Sequence, residues 1–570
     1  MSPRFPTTTP GRRTARAECG CALPSALARV RAFTFSTMAL AAAAPVVSAP
    51  LSLQRTYFGE APLDQFGYAL HAAGDLNSDG FADFLVGANT NDSGAPGGGE
   101  VYLFRGGDEF PSSAALTCAG QVASESFGGA VCGGGDLDGD GFADWVVGAP
   151  GAGTSGSDPG RVYVFRGGAS PDGAPELVVE GSVATGQFGA AVLVGPDLDG
   201  DGYGDLVVGA PRAGNGEVRI YRGGPLPLDA TPDRIVHARA GDSRFGRSLA
   251  WLPDLDGDGC DELLVGVPHA SQSAAWAGAV LLLRGTAMLD TIPDLVLVGQ
   301  AAGDEFGTSL EAGVDLDGDG AADILAGAPA ANVGAAVDAG RAYLYRGGTM
   351  LDAIADHTFD GAAADNRFGT SIASGFDWDG DGAPDLAIGA PDADANGTDS
   401  GACTIFRGGA ALDGTADATV TGPAAAAHLG ESVASLGDIR RNGRGALLVG
   451  GYSTTDAGRA LLIASSDMPV DAVVIPPASG ARLLPAWPNP CNPSMQSALR
   501  IPESGSWTVD VLDVRGRRVA RLLSAWLTAG NHALHWDGRD ARGAAVSSGV
   551  YCILARSAKG TCTTHVTLVR

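Results

Sequence analysis

Six nine-residue segments place oxygen-bearing side chains at their first, third, fifth and ninth positions. They are Asp75, Asn77, Asp79 and Asp83; Asp136, Asp138, Asp140 and Asp144; Asp197, Asp199, Asp201 and Asp205; Asp254, Asp256, Asp258 and Glu262; Asp315, Asp317, Asp319 and Asp323; and Asp377, Asp379, Asp381 and Asp385. Calcium is a hard cation that gathers roughly six to eight oxygens at about 2.3 to 2.6 Å. Alternate side chains can converge on such an ion together with the backbone carbonyl of position 7, here Phe81, Phe142, Tyr203, Cys260, Ala321 or Ala383. Glycine at position 6, as in Gly80 or Gly141, permits the sharp turn that wrapping demands. Position 2 is Leu in five segments and Trp378 in the sixth, an apolar anchor for the loop. The competing reading is a set of solvated acidic turns, since Asp and Gly favour turns anyway. Three or four carboxylates within nine residues repel one another without a cation, and the pattern returns six times, so about six calcium sites are expected. An EF-hand is excluded, because its loop needs a bidentate Glu at position 12. That position is Val86 or Val147, already inside a strand pattern. A seventh segment, 438–446, puts Arg440 at position 3 and Ala446 at position 9; it should bind no metal, with the arginine standing in for the cation.

These segments recur in a fixed phase. Phe-Gly pairs open at Phe66, Phe127, Phe188, Phe245, Phe306 and Phe368, with Leu429-Gly430 after them, at intervals of 61, 61, 57, 61, 62 and 61. Each unit runs through an apolar stretch, the Asp-rich loop, a strand such as WVVGAP, a variable Gly-rich loop, a strand such as YLFRGG, and a short apolar piece such as LVVEG. That order gives four short strands per unit, with no window of helical periodicity. Seven such units predict an all-β fold, a seven-bladed β-propeller, in preference to an open solenoid. The segment LSLQRT at 51–56 is a spare strand able to complete the last blade and latch the ring. The Arg of each RGG reads as a solvated strand end, with repeated guanidinium groups on one rim that bind an acidic partner as the alternative.

The chain has 570 residues, with 37 Lys+Arg against 65 Asp+Glu, for a net charge of −28. Such acidity argues against a nucleic-acid partner, which calls for a basic surface. Hydrophobic residues make up 45% and charged residues 18%, enough apolar material for packed cores. Residues 1–31 hold six Arg and one acid, and the apolar run AFTFSTMALAAAAPVV follows, ending in Ser48 and Ala49. This predicts an export signal over 1–49, with an organelle transit peptide as the alternative. Nothing reaches the roughly 20 apolar residues of a membrane span. Without residues 1–49 the charge becomes −33, and 23 carboxylates sit in the six loops. Nine Cys without a CxxC pair disfavour a zinc or redox motif; Cys118 with Cys132, and Cys552 with Cys562, are possible disulfides in an exported protein.

Phe-Gly, then DxDxDGxxD, then Gly-Ala-Pro at Gly148-Ala149-Pro150, Gly209-Ala210-Pro211, Gly327-Ala328-Pro329 and Gly389-Ala390-Pro391, resembles the FG-GAP repeat family. Departures stand at Asn89, Val267 and Gly450-Gly451-Tyr452. The resemblance covers 50–466 and implies the seven-bladed propeller of integrin alpha subunits, whose calcium loops stabilise one face while ligands bind the opposite face or its edge. After a linker over 467–485, a second unit spans 486–570, beginning near AWPNPCNP. Its alternating segments predict a small antiparallel sandwich. Trp536-Asp537-Gly538 and Ser548-Gly549-Val550-Tyr551 resemble the Ig-like domain of the flagellar hook-capping protein and the sorting tails of type IX secretion. That likeness implies an exported bacterial protein.

Enzyme signatures do not assemble. GGDEF at 106–110 imitates a cyclase motif, but it falls where other repeats read RGGAS or RGGPL. His532 and His535 flank the WDG turn and read as surface-turn residues. No GxSxG, HExxH or P-loop string occurs. The sequence therefore predicts a secreted or cell-surface, calcium-binding, non-catalytic binding or adhesion module with an extracellular protein or glycan as ligand. The alternatives are a lectin-like carbohydrate binder, for which Trp276 is the main exposed-aromatic candidate, and a calcium-dependent hydrolase.

Overall fold

The computed structural model describes residues 51–153, 158–239, 242–286, 291–348, 351–453, 456–465, 482–483, 495–501, 504–513, 517–528, 530–557 and 560–568. The expected export signal, most of the linker and the AWPNPCNP string lie outside the described residues.

Strand β1 spans Leu51–Phe58, and β2 (Phe66–Gly74), β3 (Asp83–Ala88), β4 (Glu100–Phe104) and β5 (Leu116–Ala119) form the first blade as a meander in the order 2-3-4-5. Five more four-stranded meanders repeat it, from Ala130–Gly135 through to Ala418–Thr421. The seventh sheet joins Ser432–Gly437, Ala446–Gly451 and Arg459–Ser465 to β1, whose Leu51–Phe58 run antiparallel to Ser465–Arg459. The first strand of the chain thus completes the last blade. Innermost strands of successive blades touch in turn, and that of blade seven touches β2, closing the ring.

Burial explains why each strand has its composition. Second strands such as Asp144–Ala149 are buried at all six positions, because a blade is packed on both faces by its neighbours. Outer strands alternate, as in Leu177–Glu180, where Val179 is buried and Val178 and Glu180 are exposed. The Phe of every Phe-Gly pair is nearly inaccessible, as is Leu429. Backbone bridges tie each of these residues to the preceding blade: Gly99 to Phe127, Gly160 to Phe188, Gly216 to Phe245, Gly278 to Phe306, Gly340 to Phe368, Gly401 to Leu429 and, across the closure, Gly458 to Phe66.

Blades approach most closely where the two motif glycines cross. A Cβ on Gly148 would lie 2.0 Å from the Gly189 carbonyl oxygen of the next blade, and the same contact repeats at 2.0 to 2.2 Å in all seven interfaces, ending with Gly450 against Gly67. The spacing between Phe-Gly and Gly-Ala-Pro is therefore a packing requirement between neighbouring sheets.

The C-terminal unit holds two sheets, one of Arg482–Leu483, Met495–Ile501 and Gly530–Trp536, the other ordered Arg518–Leu527, Gly505–Asp513, Gly549–Ser557, Gly560–Leu568. Trp507, Trp536, Val509, Tyr551, Ile553 and Val566 fill the core of this Ig-like sandwich. Trp536 Nε1 donates to the Arg539 carbonyl at 2.9 Å, so the WDG string is a tight turn anchored by its buried indole. Among the described residues no helix is long and apolar enough to cross a membrane.

Neither expected disulfide forms. Cys118, Cys132 and Cys552 are free; Cys132 lies on an inner strand with its Sγ 3.6 Å from His71 Nε2, and strand register sets Cys562 opposite Ala555 rather than Cys552.

Two measurements test this architecture. Deleting residues 51–58 removes a whole strand from blade seven and should lower the melting temperature by well over the 2–4 °C that one kcal/mol gives a chain of about 150–250 residues; an unchanged melt would refute the latch. Gly327→Ala puts a Cβ 2.1 Å from the Gly369 oxygen and should destabilise by about 1–3 kcal/mol in a denaturant titration. Gly107→Ala, whose Cβ meets nothing nearer than 3.8 Å, should cost less.

Candidate metal centres and the opposite face

The Asp-rich segments connect the first and second strands of their blades, so all lie at one end of the ring. Their carboxylates first organise the loop itself. The position-1 carboxylate accepts the amide of position 6 at 2.6 to 3.0 Å in each, as Asp136 does from Gly141 and Asp75 from Gly80. Gly141 adopts φ +87°, the left-handed turn that this closure needs. Position 5 accepts the amide of position 7: Phe81, Phe142, Tyr203, Cys260, Ala321 and Ala383 donate to Asp79, Asp140, Asp201, Asp258, Asp319 and Asp381 at 2.8 to 3.0 Å. The anchors Leu76, Leu137, Leu198, Leu316 and Trp378 are buried, and Leu255 is half-buried.

Position 9 is the most buried ligand candidate. Asp83, Asp144, Asp205, Glu262, Asp323 and Asp385 are at most 1% exposed, which separates them from the other loop acids. One oxygen of each accepts the amide of position 2, at 2.8 to 3.2 Å. In the five Asp cases the other takes an amide from the end of the third strand, as with Gly167 on Asp144 at 2.9 Å. The Glu262 Oε1 is buried without a hydrogen-bond partner. Burial pushes these carboxyls up, to about 6 for Asp83, Asp144 and Asp323 and to about 7 for Asp205, Glu262 and Asp385. The backbone amides pull the other way and the neighbouring loop carboxylates push up further.

In five loops one oxygen from each of positions 1, 3 and 9 lies within 4.8 Å of the others: Asp136, Asp138 and Asp144; Asp197, Asp199 and Asp205; Asp254, Asp256 and Glu262; Asp315, Asp317 and Asp323; Asp377, Asp379 and Asp385. These hard-oxygen sets, with the orphaned Glu262 Oε1 in the Asp254 set, fit a calcium ion. The acids of position 5 stand outside those triads, as does the first loop, where Asn77 replaces the third-position carboxylate. In the seventh loop Asp438 caps its own turn through the Asn442 and Gly443 amides. Arg440 lies over the Phe110 ring at 5.0 Å and donates from Nε to the Asp108 carbonyl, so the GGDEF string serves as a perch for that arginine.

The arginines of RGG are not solvated strand ends. Arg166, Arg222, Arg284, Arg346 and Arg407 reach back to the third-position carboxylates Asp138, Asp199, Asp256, Asp317 and Asp379 at 2.5 to 3.0 Å. The sequence shows the two motifs about 28 residues apart; only the hairpin register, with Asp144 and Arg166 at neighbouring strand ends, brings them together. Loops are also tied to the next blade. Gly168, Gly224 and Gly409 donate to the Leu76, Leu137 and Leu316 carbonyls at 2.7 to 2.8 Å.

At the other end of the ring a cavity of about 610 Å³ opens at the starts of the inner strands. Six of its lining groups are Tyr68, Arg247, Arg367, Asp392, Glu431 and Tyr452. The His428 ring stacks on Tyr452 at 4.7 Å and its Nδ1 is 3.3 Å from Asp392. Burial pushes the Glu431 carboxyl up, and Arg247 opposes it. The residue after each Phe-Gly pair reaches this cavity from every blade: Tyr68, Gly129, Ala190, Arg247, Thr308, Thr370 and Glu431. Sequence reading missed them, although one signal exists: the residue after the recurring pair runs Tyr, Gly, Ala, Arg, Thr, Thr and Glu.

A fold of seven blades with acidic loops at one end defines a repeat propeller, and comparison with known proteins makes the class specific. The FG-GAP repeat family matches residues 66–104, 127–165, 188–221, 245–283, 306–345 and 368–406, and the FlgD Ig-like domain matches 495–561. The chain carries six FG-GAP repeats and an FlgD Ig-like domain; the seventh blade, whose loop keeps only Asp438 of the acid set, lies beyond the matched repeats. It is 38% identical to integrin alpha-5 of Xenopus laevis over 194 residues, which is 32% of this chain and 17% of that protein. Integrin alpha-7 of Rattus norvegicus is 36% identical over 193 residues (32% and 16%), and human integrin alpha-IIb 37% over 152 (25% and 15%). The matched part thus spans less than a fifth of these relatives. Among solved structures, PorZ, described as a bacterial surface component of the type IX secretion system of Porphyromonas gingivalis, aligns at 15% identity and a TM-score of 0.39, over 89% of this chain and 60% of that one.

Raised carboxyl values set a pH dependence. A carboxyl whose folded value exceeds its unfolded value stabilises at low pH, and that contribution fades as pH rises through the folded value. Calcium-depleted protein should therefore lose stability between about pH 4 and pH 7, the window between the ordinary carboxyl value and those of Asp205 and Asp385. Calcium should reverse the slope. Urea titrations at pH 5 and pH 7.5, with and without calcium, measure both.

Proposed function

We propose that this protein is a secreted or cell-surface, calcium-stabilised, non-catalytic binding or adhesion module. The observation that carries the reading is the division of the ring into two faces, with the acidic loops at one end and an open polar cavity, lined by a different residue from each blade, at the other. The likeness to integrin alpha chains supports binding as the general role. Calcium is held by positions 1, 3, 5 and 9 with the position-7 carbonyl, in six loops, the first using Asp75, Asn77, Asp79 and Asp83. Because those loops hydrogen-bond to the adjacent blade, ions there fasten blade to blade. Residues 1–49 act as the export signal, and the C-terminal sandwich, after its linker, belongs to an exported bacterial protein.

Extracellular calcium modules bind with dissociation constants of about 10⁻⁴ to 10⁻³ M. Calcium at about ten times such a constant adds roughly 1.4 kcal/mol per site. Chelation should lower the melting temperature markedly, and equilibrium dialysis should count six ions per chain; an identical melt in EDTA would refute the cages. Asp205→Asn should remove one ion from that count.

For the binding face, glycan and extracellular-matrix protein arrays probed with calcium present should give binding that Glu431→Ala with Arg247→Ala abolishes. A general hydrolase screen run beside them should show no turnover. Calcium-dependent turnover would overturn the non-catalytic reading, and binding that survives the double substitution would move the ligand away from the cavity.

A further inference from the structure

The five arginine–carboxylate pairs of the loop end follow a rule that calcium coordination alone does not require. Wherever position 3 is Asp, the third strand ends in an arginine that contacts it: Arg166 on Asp138, Arg222 on Asp199, Arg284 on Asp256, Arg346 on Asp317 and Arg407 on Asp379. Arg166 also reaches the fifth-position carboxylate, Asp140, at 2.7 Å, bridging two ligand candidates. In loop one position 3 is the neutral Asn77; there Arg105 Nε and Asn77 Nδ2 are both buried without hydrogen-bond partners. In blade seven the arrangement inverts. Arg440 occupies position 3, and Ala464, paired with Ala446, stands where the other blades carry arginine. In six blades the strand end brings a guanidinium to the loop region; in the seventh the loop itself carries Arg440, Arg441 and Arg444, and Arg441 lies over Phe81 of loop one at 5.1 Å.

Arg166, Arg222 and Arg407 bring Nε to 2.5–3.0 Å of a third-position carboxylate oxygen, and Arg284 Nη1 donates to Asp256 at 2.7 Å. Four carboxylates in one turn repel strongly, and a fixed positive charge against one of them relieves that repulsion. A cation arriving at the same carboxylates then meets a positive charge a few ångströms away.

We propose that the RGG arginine is a built-in counter-charge: it holds the acidic loop folded when calcium is scarce and, by opposing the incoming ion, sets calcium affinity low. This makes Arg407 and its four counterparts affinity-setting residues that act through the third-position ligand. The inference rests on the calcium reading of the loops proposed above.

Loop six permits a local test, because Trp378 occupies its second position and can sensitise terbium luminescence when Tb³⁺ replaces calcium. The part of the terbium emission that disappears in Trp378→Phe reports this loop, and calcium competition against it gives the calcium affinity. Arg407→Gln should raise that affinity on the order of tenfold, the size of a water-screened contact between a unit charge and a divalent ion about 5 Å apart. It should also lower the melting temperature of the chelated protein. Arg407→Lys, which keeps the charge, should stay within about threefold of the unsubstituted protein. An unchanged or weakened affinity in Arg407→Gln, with its fold verified by circular dichroism in calcium, would overturn the proposal. Should that variant fail to fold, Arg166→Gln is read in the same way against the emission lost in Trp145→Phe. If no emission depends on Trp378 in the unsubstituted protein, the calcium reading of loop six itself fails and the arginine proposal falls with it.

Discussion

Seven separate sheets can share one ring only if neighbouring backbones pass within van der Waals distance at the ring's inner end. Here that passage is made by glycine against glycine, Gly148 under the Gly189 carbonyl and its six equivalents, including Gly450 under Gly67 across the closure. No side chain fits there, so the crossing sets how closely neighbouring blades pack. The same close packing buries the Phe-Gly aromatics and both faces of each second strand.

The loop end stores a large electrostatic tension. Carboxylates that cap their own turns sit against one another, and the ninth-position acid is buried in the blade beneath them. The chain balances this with amides and, in five blades, with a strand-end arginine, leaving a charge set that a divalent ion can complete. Because the third-strand ends also donate to the neighbouring loop's carbonyls, local ion binding and blade-to-blade cohesion are linked through a few hydrogen bonds. The opposite end is under no such constraint, and there the residues beside each Phe-Gly pair are free to differ.

Much of this was legible in the residue order. A period near 61 with four strand patterns per unit fixed the blade count and the spare first strand, since hydrophobic alternation and turn residues are local properties. The acids at positions 1, 3, 5 and 9 were legible as one set because they fall within a single turn. The arginines were misread as solvated ends, for their partner lies in another strand pair and only register unites them. The cavity lining was missed for the same reason, being assembled one residue at a time from seven blades. Cysteine pairing also failed, since spacing says nothing of the direction in which two Sγ atoms point.

By itself, then, the sequence determined what one repeat can specify locally: strand periodicity, the turn that wraps its own carboxylates, the glycines that must lack a side chain, and the loss of the acid set in the seventh unit. Tertiary structure decided what no single repeat contains. Closure through β1 and the cavity at the far end depend on contacts between strands distant in the chain. Their geometry follows from packing seven sheets around one axis, a condition met only by the whole ring.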